Sequence, residues 1–219
     1  MSKVTSLEHA MSRIKDAMTV MVGGFMACGT PELFMDALVE KGVKDLTIIC
    51  NDGGTPTTGV GKLIGRGQVR RLVASHVGLN PEVGRRMNEK SLEVDLIPQG
   101  TLAERIRCGG AGIGGFLTPT GFGTIVQDGK QVVEVGGTPY LLELPLHADV
   151  ALLLAHRADT MGNLIYRRAT RNFNPPMATA ADLVIAQVRE VVEPGEIDPD
   201  SVHTPGIFVD FIVTAKEVP

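Results

Sequence analysis

The segment from Met21 to Pro31 contains the residues whose types and spacing best fit binding chemistry. An apolar strand pattern leads into Gly23 and Gly24. Three later residues predict the start of a helix: Thr30 as N-cap, Pro31 at the first helical position and Glu32 in the first turn. Glycine lets a phosphate or carboxylate approach backbone N–H groups, and the positive end of a helix dipole favours an anion. The segment therefore predicts an anion-binding loop between a strand and a helix.

This glycine loop differs from two better-known phosphate loops. The spacing of Gly23, Gly24 and Gly29 does not give G-x-G-x-x-G, and no Lys-Ser or Lys-Thr pair follows the last glycine. A tight turn without a ligand fits the same residues. At this point both alternatives stay open.

The sequence shows no nucleophile that has a suitable base beside it. Ser75 and His76 are neighbours on a predicted strand, so their side chains point to opposite faces and a structural role is favoured. Thr101 and Glu104 have the spacing of a capping box, which explains Glu104 without catalysis. The five histidines and three cysteines lack metal-binding spacing, and Cys28, Cys50 and Cys108 predict no disulfide framework. We therefore expect the binding half of an active site, with the nucleophile on a partner chain.

The elements that must position the loop alternate between strand and helix patterns. A capping box at Thr5 and Glu8 opens a predicted helix before the strand Thr19 to Val22. A second helix ends at Gly42. Further strands are predicted at Leu46 to Cys50, Arg71 to Ser75 and Leu92 to Ile97, with a helix opening at Asn80-Pro81. This order predicts an α/β fold with an open, mostly parallel, doubly wound sheet.

The second half of the chain begins with a different pattern. Five glycines between Gly109 and Gly115 argue against a regular helix or strand there. A glycine-rich β-hairpin insertion is predicted next, from Val132 to Leu142 with Gly136-Gly137 at its turn. Three apolar strands complete the pattern: Ala148 to Ala155, Ala181 to Val188 and Ile207 to Val213. With no repeat and no clear linker, residues 1–219 are expected to form one domain.

Composition narrows the class of protein. The 219 residues are 43% hydrophobic and 21% charged, with a net charge of -4, which is typical of a soluble globular protein. Scattered arginines argue against a nucleic-acid partner. The nearest exception is Arg167, Arg168 and Arg171, for which a solvated strand end or a subunit contact is favoured. The uncharged stretch from Ala17 to Gly29 is too short to span a membrane, so a cytoplasmic location is the expectation.

Several segments together resemble the family I coenzyme A transferases. Residues 23–31 match the signature G-G-F-x-x-x-G-x-P, and Val20 to Val22 fit before it. Similar segments span most of the chain: Ser75-His76-Val77-Gly78, Pro98 to Arg107, Gly109-Gly110-Ala111-Gly112, Thr118-Pro119-Thr120-Gly121 and Arg171-Asn172-Phe173-Asn174-Pro175. One departure is Asp16-Ala17, where the family usually has Asp-Gly or Asp-Asn. Within the family, alpha subunits acting on acetate and acetoacetate are the most similar, followed by the 3-oxoacid enzymes.

The resemblance implies a reaction and a partner. A glutamate attacks the acyl-CoA, and an acyl-glutamyl anhydride and then a glutamyl-CoA thioester pass CoA to a second carboxylic acid. That glutamate lies in a Ser-Glu-Asn-Gly motif of the beta subunit, a motif that this sequence lacks. Coenzyme A is implied as a substrate, with no permanently bound cofactor and no metal, and an α2β2 assembly is implied.

The resemblance also implies site residues. The CoA-binding loop comprises Gly23, Gly24, Phe25, Met26, Ala27, Cys28 and Gly29. Gln99, Gly100 and Gly112 are weaker predictions for the acyl or carboxylate pocket, and as turn residues they have an equally good structural explanation. A sugar-phosphate isomerase, a ligand-sensing domain of similar architecture or a purely structural subunit stays as an alternative.

Overall fold

A computed structural model describes residues 2–215. Its main sheet contains eight strands: β1 (Thr19–Val22), β2 (Leu46–Ile49), β3 (Val69–Ala74), β4 (Glu93–Leu96), β8 (Ala148–Asp159), β9 (Leu164–Ile165), β10 (Ala181–Val192) and β11 (Phe211–Thr214). A small sheet contains β5 (Phe116–Thr118), β6 (Val132–Val135) and β7 (Thr138–Glu143). The α-helices are α1 (Leu7–Ser12), α2 (Glu32–Lys41), α3 (Gly61–Gly65), α4 (Pro81–Asn88), α5 (Gln99–Gly110) and α6 (Asn174–Thr179).

The main sheet has the strand order β11-β10-β8-β1-β2-β3-β4. Every neighbouring pair in this order is parallel, and β9 pairs antiparallel with β8. From β1 the chain adds β2, β3 and β4 on one side, and later adds β8, β10 and β11 on the other. The predicted mostly parallel sheet is confirmed. Its reversal of strand order lies at β1, and such a switch point is where ligands bind in open α/β sheets.

Both faces of the sheet are buried by helices. Along β1, Val20 and Val22 belong to a core cluster with residues of α2 and α3, whereas Met21 belongs to a second cluster with residues of α5 and α6. Alternate residues of a strand point to opposite faces, so one apolar strand supplies both cores. This arrangement explains why the predicted central strands were nearly continuous apolar runs.

The predicted β-hairpin insertion is also present. β6 and β7 pair antiparallel, and the turn residues Gly136 and Gly137 have φ of 60° and 78°. Positive φ at both central residues is the requirement of a type I′ turn, which glycine meets without a Cβ clash. β5 adds a third strand beside β7, which the sequence analysis did not predict because only three residues pair.

Several predicted boundaries are wrong. Ser6, not Thr5, caps α1, and Pro31, not Thr30, occupies the N-cap position of α2. Thr101 and Glu104 lie inside α5 and form no capping box. The last predicted strand is instead a 3-10 helix, Gly206–Phe208, followed by β11.

Two of the glycines predicted to lie outside regular structure end helix α5. A Cβ on Gly109 would lie 2.1 Å from the Leu146 carbonyl oxygen, and one on Gly110 would lie 1.9 Å from the Thr179 hydroxyl. The prediction was wrong because close packing, and not backbone freedom, requires glycine at these helical positions.

The Asp16-Ala17 departure leaves the turn before β1 intact. Ala17 has φ of 63°, in the left-handed region that glycine and asparagine tolerate better. Its N–H donates to the Lys44 carbonyl at 2.9 Å, and Asp16 accepts from the Lys44 N–H at 2.8 Å. Within residues 2–215, no helix has both the length and the apolar character needed to cross a bilayer.

The packing around β3 generates a stability prediction. Leu72 is fully buried between β2 and β4, and Leu96 on the edge strand is 50% exposed. We expect Leu72→Ala to lower the free energy of unfolding by about 2–5 kcal/mol through lost burial and a cavity. Leu96→Ala should cost about 0.5 kcal/mol or less. Urea denaturation of the two variants checks this, and equal losses would contradict the described packing.

Candidate functional site

The glycine loop, residues 23–29, leaves β1 at the switch point of the sheet. Gly23 continues the ladder by donating to the Leu152 carbonyl of β8 at 3.0 Å. The loop after β2 and the start of α5 after β4 lie at the same carboxyl edge of the sheet. Three chain segments therefore converge where the fold favours a ligand.

The tip of the glycine loop is a tight two-residue turn. Phe25 and Cys28 exchange backbone hydrogen bonds of 3.0 and 2.9 Å. Between them, Met26 and Ala27 have φ of 47° and 65°. Neither residue is glycine, and left-handed backbone costs an L-residue about 1–2 kcal/mol. The turn is strained, so the surrounding structure must hold it.

Asp52, in the loop after β2, holds this turn. Its Oδ2 accepts a hydrogen bond from the Met26 N–H at 2.7 Å and another from the Asn51 amide at 2.9 Å, while Oδ1 accepts from the Gly54 N–H at 3.0 Å. The carboxylate is buried among these three donors. A buried charge needs such partners, and here they fix two loops against each other.

Asn51 extends this network to the next two strands. Its Oδ1 accepts from the Ser75 hydroxyl at 3.1 Å and from the Gln99 side-chain amide at 3.3 Å. Ser75 also donates to the Asn51 carbonyl at 2.8 Å. Ser75 thus has a structural partner other than His76, as the sequence analysis expected. Gln99 reaches the same network as the glycine loop.

Asn174, at the start of α6, holds the base of the loop. Its Oδ1 accepts from the Leu154 N–H at 3.0 Å, and its Nδ2 donates to the carbonyls of Gly29 at 3.1 Å and Thr170 at 2.9 Å. The side chain is fully buried. A Cβ on Gly23 would lie 1.9 Å from this Oδ1, so glycine is required there by the approach of Asn174.

The N–H groups at the start of α2 are bonded within the protein. The Leu33 N–H donates to the Gln187 side-chain oxygen at 3.2 Å, and Thr30 and Pro31 are buried. The Glu32 carboxylate accepts from the Gly59 N–H at 2.7 Å and pairs with Lys62 at 2.8 Å. The Gln187 oxygen and the Thr30 and Pro31 carbonyls thus accept from the first N–H groups of α2, and the exposed part of the loop is its tip.

A small cleft separates the glycine loop from the loop after β2. Gly24 and Ala27 line one side, Asn51 and Asp52 line the other, and its volume is about 10 Å³, room for about one water molecule. Cys50 lies at its base, and its thiol donates to the Asp52 carbonyl at 3.0 Å. Burial, and next the nearby Asp52 charge, raise the pKa of the Cys50 thiol well above its ordinary value. Cys50 is therefore held as a neutral thiol.

The three predicted pocket residues do not lie together. Gln99 and Gly100 are in the first turn of α5, beside Asn51, whereas Gly112 follows the last turn. At 1.5 Å per residue, α5 separates its two ends by roughly 17 Å. The structure therefore places Gly112 far from Gln99 and Gly100. The sequence pattern did not reveal that a helix runs between them.

The main omissions of the sequence analysis are Asn51, Asp52 and Asn174. A signal was available for the first two, since an Asn-Asp pair directly follows the apolar strand at its carboxyl end. Asn174 was quoted only as part of a resembling segment, and its contact with residue 29 spans 145 positions. Within residues 2–215, no group of three or more histidine, cysteine or acidic side chains could hold a metal ion.

The sequence is similar to known proteins along nearly its full length. The coenzyme A transferase family matches residues 4–215. The chain is 53% identical over 216 residues to the acetate CoA-transferase subunit alpha of Escherichia coli K12, covering 99% of this chain and 98% of that protein. It is 49% identical over 212 residues to the acetoacetyl-CoA:acetate/butyrate CoA transferase alpha subunit of Clostridium acetobutylicum, covering 97% of each. The chain belongs to the coenzyme A transferase family.

Solved structures share the fold. An acyl-CoA transferase of Escherichia coli O157:H7, solved as a thioester complex with CoA, gives a TM-score of 0.87 at 23% identity, over 100% of this chain and 48% of that one. Glutaconate CoA-transferase of Acidaminococcus fermentans gives 0.88 at 19% identity, over 98% and 76%. This chain thus spans about half the length of the first. The isomerase and ligand-sensing alternatives are not favoured.

The strained turn predicts that two alanine-to-glycine replacements have opposite effects on the free energy of unfolding. Ala27→Gly should raise the free energy of unfolding by about 1 kcal/mol, because glycine tolerates positive φ. Ala37→Gly, the same replacement inside helix α2, should lower it by about 1 kcal/mol. Chemical denaturation of both variants measures the difference. A loss of stability in Ala27→Gly would mean that the turn carries no such strain.

Proposed function

We propose that this chain is the alpha subunit of a CoA-transferase that moves CoA between a short-chain acyl-CoA and a carboxylic acid such as acetate or acetoacetate. The relatives named alpha subunits support the expectation of a beta-subunit partner. We further propose an α2β2 assembly in the cytoplasm, with residues 1–219 as one domain. Coenzyme A acts as a substrate, and no permanent cofactor is invoked.

The reaction needs a nucleophile that this chain is proposed to obtain from its partner. A glutamate in a Ser-Glu-Asn-Gly motif of the beta subunit attacks the acyl-CoA carbonyl, and the CoA thiolate leaves to give an acyl-glutamyl anhydride. The thiolate then attacks the glutamyl carbonyl, which releases the first carboxylate and forms the glutamyl-CoA thioester. A second carboxylate reverses both steps and leaves as the new acyl-CoA.

The glycine loop is proposed as the CoA-binding element of this chain, with residues Gly23, Gly24, Phe25, Met26, Ala27, Cys28 and Gly29. The observation that carries this proposal is the strained turn at residues 25–28, held by Asp52 at the switch point of the sheet. Strain retained at the favoured ligand edge of a fold is typical of binding sites. The loop's part is to bind and orient the thioester end of CoA.

Gln99 and Gly100 are proposed to border the acyl or carboxylate group. The support is the contact of Gln99 with Asn51, which joins it to the loop network. Gly112 is left out of this pocket because it follows the far end of α5.

A first prediction concerns the missing nucleophile. The purified chain alone should transfer no CoA from acetyl-CoA to acetoacetate, and activity should appear on mixing with a beta subunit. The reason is that the proposed nucleophile belongs to the partner. Robust transfer by the chain alone would contradict the proposed division of roles between the two subunits. A beta subunit assayed alone is the control.

A second prediction tests the loop without deforming it. Gly24 is unsuitable for this purpose, because its φ is 126° and a Cβ would lie 2.2 Å from the Thr30 hydroxyl. Met26 is 55% exposed at the tip, and Met161 is 54% exposed elsewhere. Met26→Glu should place a carboxylate that must lose water against the uncharged thioester end of CoA, and raise the KM for acetyl-CoA roughly fivefold, or about 1 kcal/mol.

Met161→Glu is the matched control and should leave the KM for acetyl-CoA unchanged. Both variants are assayed in the reconstituted complex, with size-exclusion chromatography to verify assembly. If both give the wild-type KM, CoA does not lie against the tip of the loop.

A further inference from the structure

A second depression lies on the other side of the glycine loop, across β8 and β10. Its charged and reactive lining is Cys28, His156, Arg167, Arg168 and Arg189, and its volume is about 350 Å³. That volume is within the range of small-molecule sites, about 300–1,000 Å³. The first cleft, by contrast, is small and lined mainly by glycines and the Asn51-Asp52 pair.

The positive charge of this cationic cavity is not neutralised by the described chain. Within residues 2–215, Arg167, Arg168 and Arg189 form no ion pair, and no carboxylate lines the cavity. The nearby Glu190 pairs with Arg157 at 2.9 Å. The whole chain has a net charge of -4, so these cations are a local concentration and not part of a basic surface.

The surroundings of the cavity also lower the pKa of His156. Burial first, and then the charges of Arg167 and Arg189, lower the pKa of its imidazole.

The cationic cavity is built onto the glycine loop. The Asn172 side chain donates to the Cys28 carbonyl at 2.9 Å and to the Ala169 carbonyl at 2.7 Å, which ties the arginine segment to the loop. On the sheet, Val188 pairs with Ala155 and Glu190 with Arg157, so Arg189 lies beside His156. The loop therefore separates a small polar cleft from a cationic cavity.

We infer that the cationic cavity binds the phosphate groups at the nucleotide end of coenzyme A. This inference rests on the proposed function. The thioester end of CoA carries no charge, whereas its diphosphate and 3′-phosphate are strongly anionic. Arginine side chains donate two parallel hydrogen bonds to phosphate oxygens, which makes them well suited to this ligand. The charged end of the ligand therefore matches the arginines of the cavity.

The first test compares substrates with and without phosphates. Arg167→Gln and Arg189→Gln are assayed in the reconstituted complex with acetyl-CoA and with S-acetylpantetheine, which lacks the nucleotide. Each variant should lower kcat/KM for acetyl-CoA about tenfold through KM, the effect of one charge-assisted contact, and leave S-acetylpantetheine unchanged. Arg157→Gln, whose guanidinium pairs with Glu190, is the matched control and should change neither.

The second test measures whether a ligand occupies the cavity and does not depend on enzyme activity. Cys28 is exposed, whereas Cys50 and Cys108 are buried, so iodoacetamide alkylation reports on the cavity. In the wild-type complex, CoA should slow alkylation of Cys28 more strongly than S-acetylpantetheine or inorganic phosphate at the same concentration. This difference should disappear in Arg167→Gln and Arg189→Gln.

The outcomes separate this inference from the proposed function. Absence of transfer in the wild-type complex would reject the proposed function, and the alkylation test would still decide whether CoA phosphates occupy the cavity. Equal losses on both substrates, or equal protection by CoA and S-acetylpantetheine, would overturn the inference. Protection by inorganic phosphate equal to that by CoA would assign the cavity to free phosphate. Failure of the arginine variants to assemble would instead make it a subunit contact.

Discussion

The buried side-chain amide of Asn174 is the interaction on which the shape of the site depends. One amide group joins the base of the glycine loop, strand β8 and the segment that carries the arginines. Each of its bonds satisfies a backbone group in the protein interior, where an unpaired N–H or carbonyl is costly. The glycine at position 23 follows from the same contact, since any side chain there would displace the amide. Two neighbouring depressions thus have a common anchor.

Asp52 makes a complementary contribution at the tip. Asn174 fixes the base of the loop between β1 and α2, and Asp52 holds the two residues at the tip in a backbone conformation that they disfavour. At the start of α2, the Leu33 N–H donates to Gln187, while the Glu32 carboxylate accepts from the Gly59 N–H. Together these contacts direct the exposed surface of the loop to its tip and away from the helix start.

Much of the fold was predictable because its signals are local. Apolar runs marked the strands, and the residues Asn80-Pro81 and Gly136-Gly137 marked a helix start and a hairpin turn. Gly109 and Gly110 misled, since their reason for being glycine is contact with distant residues. The same difference between local and long-range signals applies to the residues of the site. The glycine loop was recognised from consecutive residues, whereas the Asn174 contact joins positions far apart in the chain, and the separation of Gln99 from Gly112 depends on a helix whose extent the glycines concealed.

The hydrogen bonds that hold the glycine loop affect the entropy cost of binding a ligand. Residues 25–28 are held in shape by hydrogen bonds to other residues of the same chain. A binding loop that is ordered beforehand spares the ligand the entropy cost of fixing it. Little of the interaction energy is then consumed in folding the loop, and the same surface is presented to every molecule that arrives. The strain in the turn is thus a cost of folding and not of recognition.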